Sequence, residues 1–256
     1  MRKLINDPDN LAVELIDGFC LTNKSKVKRI APHVCARVDA PIKGKVGIVI
    51  GGGAGHEPLF LEFIGKGMAD ASVHGQVFTA PTPDKVLDAI KAADSGEGVI
   101  MIYNNYAGDV MNFDMGQDFA RLEGHKVETV LINDEISAFP VDQAEERRGT
   151  TADHLVIHVA GAAAEAGMGF DDLKALIERA VFNCRSLGVS TSECTLPETG
   201  LKTFELPEGR MEFGMGIHGE AGIEQVDLMT ADATAERLCD AIIADLPFQS
   251  GDDIIA

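Results

Sequence analysis

The chain has 256 residues, 45% hydrophobic and 25% charged, which is ordinary composition for a globular protein with a sizeable core. Its formal net charge of -19 argues against nucleic acid or an anionic membrane as partner, and against this chain holding a nucleoside triphosphate alone. Five scattered cysteines without a C-x-x-C pair, no apolar leader after Met1 and no run of membrane length predict a reduced, cytoplasmic setting, without a disulfide framework or zinc site.

Asp7-Pro8 opens a predicted helix whose apolar positions Leu11, Leu15, Ile16 and Phe19 recur at helical spacing. Strand signals follow at 46–50, 99–103 and 127–132, alternating with helical stretches at 58–67, 83–93 and 110–123. That rhythm predicts parallel crossover units, hence a mainly parallel sheet flanked by helices. Two consecutive helices are expected over 151–166 and 171–187. Past Gly188 the pattern changes to short alternating runs at 189–195 and 210–213, a helix over 233–246, and a strand cut off as it begins at 252–256. The reading is two α/β domains: residues 1–187, and a smaller, incomplete second domain, residues 188–256.

The stretch Gly51-Gly-Gly-Ala-Gly-His56-Glu-Pro58 follows an apolar, β-branched strand and reads as a glycine loop before a helix, where backbone N–H groups can hold oxygen atoms. A dinucleotide fingerprint requires glycine where His56 stands, and Gly65-Lys66 lacks the rest of a phosphate loop. The loop therefore offers imidazole chemistry at a small-molecule site. Three further clusters fall where ligands bind in such folds: His74–Pro83, Asn104–Asp109 and Gly214–Glu220. His56 and His218 both sit beside glycines, where an imidazole is reachable.

Plainer roles compete with these. His56 can cap the next helix, Asp109 suits the N-cap of a helix starting at Val110, and His218 can be a turn residue. His74 reads as a surface residue. Arg147-Arg148 reads as pairing locally with the acidic stretch of Asp142, Glu145 and Glu146. His154 and His158, four apart on a helix, have no third metal ligand, so no metal site is assigned.

Taken in order, the motifs at 51–58, 75–83 (Gly-Gln-Val-Phe-Thr-Ala-Pro-Thr-Pro), 105–113 (Asn-Tyr-Ala-Gly-Asp-Val-Met-Asn-Phe), 147–149 (Arg-Arg-Gly), 160–165 and 216–220 (Gly-Ile-His-Gly-Glu) resemble the substrate-binding (K) subunit of dihydroxyacetone kinases. The resemblance implies that His218 captures the ketone as a hemiaminal and that His56 is general base on the hydroxyl to be phosphorylated. It also implies that the Gly53 region and Asp109 hold substrate hydroxyls. ATP with magnesium, or a phosphoryl relay from a sugar phosphotransferase system, then belongs to a separate L-type subunit or domain, and a homodimer is expected. Two departures bear on the ketose: the family's binding lysine falls at Asn104, and a family serine is Ala80 here. They predict a less cationic, roomier pocket that suits a four-carbon ketose as well as dihydroxyacetone. The rival readings are a ketose-binding sensor or co-activator without turnover and, more remotely, a nucleotide-binding oxidoreductase domain.

Overall fold

The computed structural model describes residues 4–246 and 248–255. A six-stranded sheet in the order β1-β2-β4-β3-β5-β6 forms its centre. It consists of β1 (Val27–Ala31), β2 (Val34–Arg37), β3 (Gly47–Ala54), β4 (Ala71–Val77), β5 (Val99–Asn104) and β6 (Val127–Ile132). The last four strands run parallel, and the β1–β2 hairpin joins antiparallel along β4. Position follows composition: β3 and β5 are apolar on both faces and buried at every residue, as strands covered on both sides must be.

Helices α2 (Pro83–Ala93) and α3 (Ala107–Leu122) cover one face through Val86, Ile90, Phe113 and Ala120. Helices α4 (Asp153–Glu165) and α5 (Phe170–Phe182) cover the other through Val156, Ile157, Leu173 and Ile177. The opening helix α1 (Leu11–Thr22) packs Ile16 against Val27, Cys35 and Leu61. A second, antiparallel sheet holds β7 (Val189–Ser190), β8 (Arg210–Phe213) and β9 (Glu224–Asp227), followed by α6 (Ala231–Asp245). The mainly parallel, helix-flanked α/β sheet expected from the sequence is present. No helix among the described residues is long and apolar enough to cross a membrane.

Several local expectations are corrected. The helix expected over 58–67 is only a short 3-10 turn, Leu61–Phe63. Phe60, Leu61, Phe63 and Ile64 are all buried, and the chain turns extended at Ile64 (φ -91°, ψ 118°), which ends the helical turn there. The supposed loop at 51–54 continues β3. The strand expected over 189–195 stops at Ser190, and residues 252–255 are not in a strand, with Ala256 outside the described residues. Arg147 does not pair locally: its guanidinium forks onto Asp245 of α6, at 2.8 Å from Nη1 to Oδ1. Arg148 instead binds Glu135 and the Gly214 carbonyl.

Glycine lets β4 fold back on itself after residue 75. A β-carbon on Gly75 would stand 1.7 Å from the Thr79 carbonyl oxygen, so the 76–80 turn closes only over a bare backbone. Gly75→Ala should therefore lower unfolding free energy by about 3 kcal/mol in urea titration. A wild-type midpoint would mean that the turn yields freely.

Candidate functional site

Three chain crossings converge where β3 and β5 end. The end of β3 is packed so closely that side chains would not fit. A β-carbon at Gly52 would meet the Phe60 ring at 2.8 Å, and one at Gly53 would meet the Thr79 nitrogen at 2.7 Å. Gly55, at φ +95°, then turns the chain and presents His56. From the second sheet, the Gly214–Glu220 loop reaches over the same point. Gly214 adopts φ +73°, and a β-carbon there would strike Ser137. That absence of side chain lets Arg148 Nη2 and Ser137 Oγ each donate to the Gly214 carbonyl at 3.0 Å.

The result is contact between His56 and His218, with Nε2 to Nε2 at 3.0 Å. Phe78 stacks on His56 at 5.0 Å, while Tyr106 and Phe78 meet the His218 ring edge-on at 4.7 and 5.3 Å. Asp109, Asn104, Gly52 and Gly53 line the same cleft. The space left is about 10 Å³, room for one water at most, so a larger ligand enters only if the two rings part.

Electrostatics sorts the nitrogen atoms. His218 Nδ1 lies 3.0 Å from Glu220 Oε1, and Glu220 Oε2 accepts the His218 backbone N–H at 3.0 Å. Burial pushes the Glu220 carboxyl upward, but these contacts with His218 outweigh it and hold its pKa down at about 2. An ionised carboxylate only accepts, so the His218 proton sits on Nδ1 and the Nε2 lone pair faces the cleft. His56 Nε2 therefore donates in the closed contact. Burial, and secondly the neighbouring His218 ring, bring the His56 pKa down to about 4, which keeps this ring neutral at pH 7. Burial raises the Asp109 carboxyl to about 6, against the pull of His218.

Asp109 stands inside the first turn of α3 and does not cap it: the N-cap position is Tyr106, with no side-chain cap bond. Its Oδ1 is buried without a hydrogen-bond partner, which leaves it for a ligand. Asn104 ends β5 with its amide oxygen likewise unpartnered. The structure thus brings His56, His218, Asp109, Asn104 and Gly53 together. His74 is elsewhere: it is buried in β4 with Nε2 2.8 Å from Ser72 Oγ, and burial drops its pKa to about 3. Glu220, Phe78 and Tyr106 were not singled out from the sequence, although each lies inside a motif that was. A wider groove, about 700 Å³ between the end of α1, β1, β2 and residues 62–68, is a different place. Its Arg37 is already engaged by Asp39, Asp70 and Glu165, and nothing there resembles the paired imidazoles.

The Dak1 domain model matches residues 17–256. The chain is 41% identical to the dihydroxyacetone-binding subunit DhaK of the PTS-dependent dihydroxyacetone kinase 1 of Listeria innocua, over all of this chain and 78% of that protein. It is 40% identical to the L-erythrulose kinase of Pectobacterium atrosepticum, over 96% of this chain and 42% of that one. Among solved structures, the dihydroxyacetone kinase of C. freundii in complex with AMP-PNP and Mg2+ superposes with a TM-score of 0.86 at 35% identity, covering 96% of this chain and 46% of that chain. The dihydroxyacetone kinase operon co-activator Dha-DhaQ superposes at 0.83 and 28% identity, over 91% of this chain and 71% of that one.

In an NMR pH titration the His56 ring should take up its proton with a midpoint of about 4. A midpoint near the ordinary histidine value of about 6.5 would show that the ring is solvated and not covered by His218.

Proposed function

This chain belongs to the Dak1 domain family, and from that premise we propose that it is the substrate-holding subunit of a short-chain ketose kinase, capturing the ketone on His218. The observation that carries this reading is the His56–His218 pair, with Glu220 fixing the His218 tautomer. When the rings part around a ketose, the Nε2 lone pair of His218 adds to the carbonyl carbon and the carbonyl electrons move to oxygen, which takes a proton. The positive charge gained by the ring stands beside the Glu220 carboxylate at 3.0 Å until the Nδ1 proton leaves, giving a neutral hemiaminal. Glycerol, with no carbonyl, is refused by this chemistry.

His56, neutral at pH 7, is the general base on the hydroxyl that receives phosphate. Asp109, with its unpartnered Oδ1, Asn104 and the Gly53 backbone hold the remaining hydroxyls. The phosphoryl group comes from a separate L-type subunit or domain carrying ATP with magnesium, or a phosphotransferase relay. The lengths of the relatives support that division, since the chain spans under half of the C. freundii kinase crystallised with nucleotide. The protein works in the cytoplasm as a homodimer. Residues 1–187 carry His56, and residues 188–256 form the second domain, which carries His218. A co-activator that binds ketose without turnover is the second reading, favoured by the similarity to Dha-DhaQ. The presence of a base, a nucleophile and a carboxylate in one cleft supports the enzyme.

Intact-protein mass spectrometry with dihydroxyacetone, followed by turnover with an L-type partner, tests the assignment. His218→Ala should lose the adduct while the fold is kept. His56→Asn should still form it but transfer phosphate roughly 100-fold more slowly or worse. An adduct that survives His218→Ala overturns the capture site. Adduct formation without any turnover in the wild type would give the co-activator reading.

Substrate choice follows from Asn104 and Ala80. An amide both donates and accepts, and the smaller side chain at 80 leaves room, so erythrulose should compete with or outperform dihydroxyacetone. Competitive adduct formation measures this directly. A strong preference for dihydroxyacetone, unchanged by Asn104→Lys, overturns it.

A further inference from the structure

Asp153 is the most deeply buried carboxyl outside the cleft, with no exposure, and neither of its oxygens has a well-formed hydrogen bond. It opens α4, and Asn104 of the ketose cleft stands beside it with its amide N–H side toward the carboxyl, a contact that lowers the Asp153 pKa. The Asn104 amide is itself badly served. Its Oδ1 has no donor, and it crowds the same point as the Ile132 carbonyl oxygen: a β-carbon on Gly149 would meet the two at 2.2 and 2.3 Å. Two acceptors thus flank the same point, and of the two only the Ile132 carbonyl has a donor, the Asn105 backbone N–H at 3.0 Å.

We propose that Asp153 is a positioning residue for Asn104: by donating a proton to the amide oxygen, its carboxyl turns the amide so that N–H groups face the Ile132 carbonyl and the cleft. The orientation of an amide is decided by its hydrogen-bond network, and this arrangement gives the Asn104 oxygen a donor and the acid proton an acceptor. It requires the neutral acid. Burial, and then the nearby Asp134 carboxylate, raise the Asp153 pKa well above the usual carboxylate range, which supplies it. Asp134 cannot take over the role, since it is committed to the backbone N–H groups of Thr150, Thr151 and Ala152. Gly149 completes the device, because any side chain there would fill the space that the amide occupies.

The consequence is a specificity element. An Asn104 N–H aimed into the cleft gives a donor to a ketose hydroxyl beyond the three carbons that His218, His56 and Asp109 engage, so Asp153 favours a four-carbon ketose without touching it. This rests on the ketose reading above, which names the ligand.

The test compares adduct formation by erythrulose and by dihydroxyacetone in the wild type, Asp153→Asn and Asp153→Leu. Asparagine keeps a donor to the Asn104 oxygen without a charge, and leucine keeps the volume without a donor. Asp153→Asn should retain the wild-type ratio of affinities. Asp153→Leu should weaken erythrulose about 3- to 10-fold, the worth of one neutral hydrogen bond, and leave dihydroxyacetone within about 2-fold. Should the leucine variant not fold, Asn104→Ala must show the same selective loss, and adding Asp153→Asn to it must change nothing further. An unchanged ratio in Asp153→Leu, an equal loss for both ketoses, or an Asp153→Asn variant that behaves like leucine overturns the proposal. A wild type that captures neither ketose refutes the ketose reading itself, a distinct outcome.

Discussion

Arg147 and Arg148 tie α6 and the second sheet to the first, and the pairing of the two imidazoles rests on that docking. His56 and His218 belong to different sheets and meet at 3.0 Å, a distance that a loose hinge would not maintain. Arg147, 1% exposed, forks onto Asp245 at the end of α6, and Arg185 binds the same carboxylate at 2.6 Å. Arg148 binds Glu135 and reaches the Gly214 carbonyl, which fixes the root of the His218 loop. Charges this enclosed are costly to desolvate, and the cost is met by several hydrogen bonds for each guanidinium. Planar, bidentate geometry makes the docking directional in a way that an apolar contact is not.

Glycine is the second requirement, and it works by omission. At the end of β3, bare backbone admits Phe60 and the turn after Phe78, which bring aromatic walls to the imidazoles. In the opposite loop, a β-carbon on Gly216 would stand 2.1 Å from Glu220 Oε2, so this glycine is what lets Glu220 fold back on the chain and reach His218. The paired imidazoles are therefore positioned by strand ends and tight turns, while the first turn of α3 supplies Asp109.

The central strands and the covering helices were legible because their apolar periodicity is strong, as in 99–104 and 153–165. The β1–β2 hairpin was not, since Lys28, Arg29 and Arg37 interrupt the alternation, and Arg37 is buried on β2 by its ion pairs with Asp39, Asp70 and Glu165. Strand β4 was hidden by Ser72 and His74, polar side chains that satisfy one another inside the core, and for the same reason His74 passed for a surface residue. Among the site residues, His56, His218 and Asp109 stood out because polar groups beside glycines are conspicuous. Glu220 and Tyr106 did not, because a role that consists of holding a neighbour's tautomer or flanking its ring leaves no mark in spacing. Arg147 was misread since its partner is 98 residues away, and nearer acids made a sufficient local explanation.

The closed His56–His218 contact also acts as a toll on every carbonyl compound that approaches. Opening it forfeits one hydrogen bond, about 0.5–1.5 kcal/mol, which lowers the apparent affinity of any visitor by roughly 2- to 13-fold. A simple aldehyde has nothing with which to recover that loss. A hydroxylated ketone can recover it through Asp109, whose orphaned oxygen gains a partner when such a molecule arrives, and through the Asn104 amide beside it. The closed contact thus shields the His218 Nε2 lone pair, by roughly that factor, from small carbonyl compounds that bring no hydroxyl groups.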